Sequence, residues 1–430
     1  MQLQHQNYRA GISCALLLTL TAVAGCGGGS MNAAMSTSPS APGSTNSSAP
    51  PAVLQAKAAG TQVSSNLVSA DNTFGINLFQ ILDSGATGNV AISPISIAMA
   101  LQILYNGAAG TTQTAMQQTL QLGSFDIADL NNANAALQAS LMDADSEVQL
   151  TVANSLWMHL MSNAVLPSFT QTDQNYYGAT VGDLAGAPAD VNTWVSTATN
   201  GLITDILPAG DYSSVIAVIA NAIYFKGQWT TAFDPTQTAA APFTLIDGTQ
   251  TTAQMMHQAG SYDYFEGSNF QAIRLPYGQG RFSMFIVLPN AGTTLASLVG
   301  SLSSSTLNTW IAAATSANGS IALPRFSATY GVSLPQALST LGMGVALCSS
   351  NSANFSALAP GVCVSDVSHK TVVEVDESGT VAAGATTITV VPTAAQTPAF
   401  TMTVDHPFFY AILDDLTGEL LFVGTLLNPS

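Results

Sequence analysis

Residues 367–387 read VSHKTVVEVDESGTVAAGATT, and the change of character halfway along this stretch governs how the chain can fold. The first half is rich in β-branched residues, as a buried strand requires, with His369 set among them. Beyond Glu377 the charge disappears: from Ser378 to Val404 no residue is ionisable as an acid or a cation, and Gly379, Ala382, Ala383, Gly384 and Ala385 are small. A segment that must slide between two already paired strands can bring only small or apolar side chains, because an unpaired buried charge is costly. With a period of two, Thr380, Ala382, Gly384, Thr386, Ile388 and Val390 share one face, and all six can be buried. By composition the same run also suits an Ala/Thr/Gly-rich linker. Its position after Glu374-Val375-Asp376-Glu377 and before a long strand pair favours insertion.

Working outward, VQLTVANSLWM at 148–158, SVIAVIANAIYF at 214–225 and FSMFIVLP at 282–289 are long, apolar and β-branched. Strands of that kind belong to sheets covered on both faces. Helical spacing of Leu67, Phe74, Leu78, Phe79 and Leu82 predicts a helix from about Asn66. A second helix follows Ser93-Pro94, with Ile97, Leu101, Leu104 and Tyr105 on one face, and stops at Asn106-Gly107. Helices dominate the first half and strands the second, with no repeat of fixed period, which favours one α+β domain over residues 63–430.

The chain has 430 residues, 47% of them hydrophobic and only 7% charged, so Ser, Thr, Asn and Gln must make its surface polar. Seven Lys and Arg against 24 Asp and Glu give a net charge of −17, which would repel a phosphate backbone. Nucleic acid is thereby excluded as a partner. Residues 124–150 contain Asp126, Asp129, Asp143, Asp145 and Glu147 but no Lys or Arg, so binding of heparin-like polyanions there is not expected.

Near the N-terminus, Arg9 precedes an apolar run from Ile12 to Ala24, too short for a permanent membrane span. Residues 1–25 therefore read as a secretion signal. Val23-Ala24-Gly25-Cys26 resembles the lipobox of bacterial lipoproteins, which implies lipidation of Cys26 and a membrane anchor at the cell envelope or surface. Residues 26–62 have almost no large apolar side chains and read as a flexible tether with a reach of roughly 35 Å. Cys348 and Cys363 are then the remaining thiols in an oxidising compartment. Two readings stay open for them: a disulfide closing a loop of about 15 residues, or two separate buried thiols.

Enzymatic signatures are missing. The histidines of the folded part are His159, His257, His369 and His406, and none accompanies a nucleophile elbow, a His-Glu-x-x-His pair or a Cys-x-x-Cys motif. No phosphate-binding loop or dinucleotide fingerprint is present. Neither catalysis nor a metal or other cofactor is expected.

Five ordered segments resemble the serpin family: NVAISPISIAMALQILYNGAAGTTQTAMQQTL at 89–120, ANAIYFKGQWTTAF at 220–233, LPRF at 323–326, VSHKTVVEVDESGTVAAGATT at 367–387 and DHPFFYAILDDLTGELLFVGTLLNP at 405–429. The resemblance spans about residues 66–430. It implies a large central sheet, two smaller sheets, about nine helices and an exposed reactive-centre loop. It implies a buried gate beneath the central sheet at Ser93, Ser96, Asn221 and His369, with Trp229 near the point where the loop enters. Glu377, Gly379, Thr380, Val381, Ala382, Ala383, Gly384 and Ala385 match the hinge of inhibitory members, Ser378 being a departure at its edge.

The implied function is suicide inhibition of a serine protease: cleavage of the loop, acylation of the protease, then insertion of the loop as a new strand. A non-inhibitory serpin acting as a surface binding protein is the alternative. Counting forward from Gly379 puts the scissile bond at Thr393-Ala394; counting back from Asp405-His406-Pro407 puts it near Gln396-Thr397. The chain has no Lys or Arg after Lys370, so the bait suits elastase-like or subtilisin-like proteases, with a cysteine protease as a further candidate. A monomer is expected.

Overall fold

The structure is a computed structural model that describes residues 49–159, 165–380 and 398–429. Its first half carries helices α1 (Pro51–Ala59), α2 (Ser65–Asp83), α3 (Pro94–Tyr105), α4 (Gly110–Thr119), α5 (Ile127–Leu141), α6 (Pro167–Tyr176) and α7 (Ala189–Ala198). Strands β1 (Val90–Ile92), β2 (Val148–Met158), β3 (Thr180–Asp183) and β4 (Ala217–Gln228) lie among them. There follow β5 (Ala239–Thr244), β6 (Gln250–Glu266), β7 (Phe270–Tyr277), β8 (Phe282–Pro289), β9 (Thr315–Pro324) and β10 (Phe326–Ser333). The last strands are β11 (Asp366–Asp376), β12 (Gly379–Thr380), β13 (Phe400–Thr403), β14 (Phe408–Asp414) and β15 (Glu419–Leu426). Three short helices, α8 (Leu295–Gly300), α9 (Ser304–Ala313) and α10 (Pro335–Thr340), complete a set of ten among the described residues.

Two sheets share one core. A six-stranded sheet runs β10-β11-β12-β4-β2-β3, and a nine-stranded sheet runs β1-β15-β14-β8-β7-β6-β9-β13 with β5 paired to β6. The two smaller sheets that the resemblance implies form one continuous ladder here. The α+β serpin architecture is otherwise as expected. Strands β2 and β8 coincide with the predicted stretches 148–158 and 282–289, and β4 begins three residues inside its stretch.

Helix α3 is the keel of this arrangement. Ser93 caps it by accepting the N–H of Ser96, Pro94 fits the first turn, and every residue from Pro94 to Tyr105 is buried. It packs on α2, β2, β4 and β15, so it touches both sheets. Gly75 of α2 permits the close crossing, because a Cβ there would fall 2.3 Å from Pro94 Cβ.

The structure corrects one boundary. The tether read from 26 to 62 contains α1, started by Pro51 and closed by Gly60 at φ 61°. Val53 of α1 is buried against Ala135 and Ala139 of α5, and small residues at Ala52 and Ala56 let the helices approach. Lys57 Nζ donates to Met142 O and Asp143 Oδ2, each at 3.0 Å. Composition hid this helix because close packing of alanines needs little bulk. Cys348 and Cys363 are joined in a disulfide, with Cα atoms 4.9 Å apart. No helix among the described residues is long and apolar enough to cross a membrane.

Candidate functional site

The site lies between β4 and β11. Their parallel pairing covers Val218–Ala222 against Asp366–Lys370 and goes no further. The chain then leaves β11, turns at Glu377-Ser378 and returns as β12 between the two strands. Gly379 and Thr380 pair with Asp376 and Val375 on one side and with Gln228 and Gly227 on the other. Between these two closures, Ile223–Lys226 of β4 and Thr371–Glu374 of β11 face each other, and no described strand pairs with either edge. Such edges are templates for an added strand.

At the closed end stands a buried polar cluster. The N–H of Ser93 reaches His369 Nε2 at 3.2 Å, so that nitrogen accepts and Nδ1–H donates to Asn221 Oδ1 at 2.6 Å. Asn221 Nδ2 lies 2.8 Å from Ser96 O, 2.6 Å from Ser96 Oγ and 2.5 Å from Asn154 Oδ1. Burial lowers His369 to about 3, keeping the ring neutral. Four residues expected from the resemblance thus meet in one network joining α3, β4 and β11. Asn154, opposite Asn221 in β2, is a further member that sequence reasoning missed. Its only signal was a polar residue inside an apolar strand.

At the open end, Trp229 stacks on Tyr277 with centroids 4.4 Å apart and planes 11° from parallel. Its Nε1–H donates to Asp376 O at 2.9 Å, and its backbone N–H donates to Ser378 O at 2.8 Å. Thr380 is buried, its hydroxyl 2.6 Å from that of Tyr277. Gly379 sits at φ 150° with Gly227 O only 2.0 Å from where a Cβ would be, so no other residue fits. Arg325 Nε and Nη2 reach Glu377 Oε1 at 2.7 and 2.5 Å, and Thr238 also donates to that oxygen. Burial alone would raise the Glu377 carboxyl; these hydrogen bonds outweigh it and hold the group below the usual range. Tyr277, Thr238 and Arg325 were not singled out from the sequence, although Arg325 lies in the LPRF segment.

Val381, Ala382, Ala383, Gly384, Ala385, Thr393, Ala394 and Cys26 lie outside the described residues. No group of three or more His, Cys, Asp or Glu among the described residues could hold a metal ion.

A sheet split between β4 and β11, with Gly379 and Thr380 seated at one end of the gap and a buried polar cluster at the other, is the arrangement to be matched among known proteins. The sequence model described as Serpin (serine protease inhibitor) matches residues 69–429, and the chain belongs to the serpin family. It is 33% identical over 386 residues to Serpin-Z2A of Triticum aestivum, covering 84% of this chain and 96% of the relative. It is 33% identical over 381 residues to the leukocyte elastase inhibitor of Xenopus laevis, covering 85% and 100%. Among solved structures it is similar to the thermophilic serpin tengpin in the native state, with a TM-score of 0.77, 28% identity, and 86% and 95% of the two chains covered.

Proposed function

We propose that this serpin is an inhibitor that traps elastase-like or subtilisin-like serine proteases through residues 381–397. The observation that supports it best is β12: the hinge is seated between β4 and β11 directly above a stretch where both edges lack a described partner. Insertion would proceed from there. A protease serine attacks the carbonyl of Thr393, the bond to Ala394 breaks, and the amine of Ala394 leaves with a proton. The resulting ester joins the protease to Thr393. As the freed segment adds to the sheet it carries the protease along and distorts its site before water can hydrolyse the ester.

Specificity follows from the bait. Val390-Val391-Pro392-Thr393-Ala394-Ala395 is neutral and small, which leaves the carboxylate of a trypsin-type pocket unpaired. The lipid anchor at Cys26 and presentation at the bacterial envelope belong to this proposal, as do the monomeric state and the lack of enzymatic activity.

The test mixes the chain from residue 27 onward with pancreatic elastase, subtilisin and trypsin and looks on a denaturing gel for a band at the summed mass. Trapping of elastase or subtilisin is expected, with a C-terminal fragment beginning at Ala394. A fragment beginning at Thr397 moves the bond, and nicking of the serpin without any covalent band refutes inhibition.

A further inference from the structure

The largest polar anomaly of the core lies where α2 and α3 meet the β14–β15 hairpin. Asn72 of α2 clasps the hairpin: its Nδ2 donates to Gly418 O at 2.8 Å and its Oδ1 accepts the N–H of Leu420 at 2.9 Å. The clasp brackets Glu419 and brings Asp71, the preceding residue of α2, into its field. Both carboxyls are buried. Gln102 of α3 donates through Nε2 to Asp71 Oδ1 at 2.6 Å. Gln102 Oε1 and both Glu419 oxygens are buried without a hydrogen-bond partner. The cluster therefore holds acceptors in excess of donors.

No described cation relieves it. Arg281 is committed to Asp414 of β14, with Nε at 2.9 Å and Nη2 at 3.1 Å from its two oxygens, and Arg274 is committed to Asp263 and Asp415. Tyr177, whose hydroxyl donates to Asn131 Oδ1 at 2.6 Å, lies in the field of Asp71 and of Asp173 on α6. None of these three is positive. Two unpaired carboxylates in such a place are too costly to keep charged, and protonation supplies the missing donors. Protonation of Glu419 also removes the repulsion between it and Asp71.

We propose that Asp71 and Glu419 hold protons at neutral pH and form a junction between α2 and the β14–β15 hairpin that their mutual repulsion weakens as the pH rises. Burial, opposed only by the Gln102 hydrogen bond, raises Asp71 to about 8. Burial, then repulsion from Asp71 and Asp414, raises Glu419 well above its ordinary value. Both folded-state values exceed the unfolded ones, so the folded chain binds more protons and loses stability as the pH climbs through this range.

The test follows the thermal midpoint of the whole chain from about pH 5 to about pH 9, for wild type, Asp71→Asn and Glu419→Gln, with calorimetry in buffers of different ionisation enthalpy to count protons released on unfolding. The wild-type midpoint should fall with pH, and unfolding near neutrality should release about two more protons than in a chain without the pair. Each amide variant should flatten the curve and remove about one proton from the count. Wild-type curvature retained in both variants overturns the proposal. So does a wild-type midpoint that responds to calcium and chelator rather than pH, since a cation would then fill the cluster. If one variant does not fold, the other and the wild-type proton count decide.

Discussion

Aspartate placed at 381 or at 382 should have opposite consequences, although the positions are neighbours. The observed pairs Thr380–Val375 and Thr380–Gly227 set a register that, continued, places residue 382 opposite Val373 and Phe225 and residue 381 opposite Glu374 and Lys226. Thr380 faces the core side, where it meets Tyr277, so 382 would point there too, among Phe225, Tyr277 and Phe282. A carboxylate there has no cation to pair with, and burying it costs about 3–5 kcal/mol, slowing insertion roughly 10²–10⁴-fold. Position 381 would instead look to the opposite face beside Lys226, the one described cation with no ion pair. An exposed pair is worth about 0–1 kcal/mol, and Glu374 offsets part of it. The assay is the molar ratio of inhibitor consumed per subtilisin trapped. Ala382→Asp should be cleaved almost without trapping, whereas Val381→Asp should stay within about twofold of wild type. Equal effects, or a worse one at 381, would refute the register.

Cleavage within residues 390–397 should raise the melting temperature sharply, since one added long strand contributes on the order of 10 kcal/mol from ladder bonds and apolar burial; a cut protein no more stable than the intact one removes insertion. His369→Ala should destabilise the fold by about 2–4 kcal/mol in urea titration, because Asn221 Oδ1 and the Ser93 N–H lose their partner in the core; a loss under about 0.5 kcal/mol would mean that these bonds do not hold the fold. The same ring gives a signed pH effect: its folded value is depressed to about 3, so its contribution is present above the unfolded value near 6.5 and is lost as the pH falls through that window. The stability of His369→Gln relative to wild type should therefore rise as the pH falls below about 6.5, and a pH-independent difference would contradict the burial argument. Val53→Asp should lift α1 from α5 and lower stability by about 2–3 kcal/mol, with no change expected if α1 were merely part of the tether.

What was legible in the sequence was local. The helix after Ser93-Pro94 announces itself by a cap, a first-turn proline and an apolar face, and 148–158 and 282–289 announce themselves by β-branched runs bounded by polar residues. The gate became legible only through family resemblance, because its bonds join residues far apart: His369 and Asn221 are separated by 148 positions, and Ser96 and Asn221 by 125. Tyr277 meets Thr380 across 103 positions and Arg325 meets Glu377 across 52, with no periodicity to connect either pair. Asp71 and Glu419 escaped for a different reason: a carboxyl in a sequence reads as surface, and only the packed core shows that no cation attends it. Helix α1 escaped because propensity is silent about an alanine face that finds another alanine face to rest on.

Forming a new strand has a slow part and a fast part. Bringing a chain end to a template and fixing its first backbone angles loses entropy before any ladder exists, whereas each later residue adds bonds as it is fixed. Gly379 and Thr380, bonded on both sides, have already passed the slow part. Loop addition would then be propagation without nucleation, in a race whose opponent is a single water molecule at the ester. It would also begin in one alignment only, because slipping by a residue would turn every side chain to the wrong face.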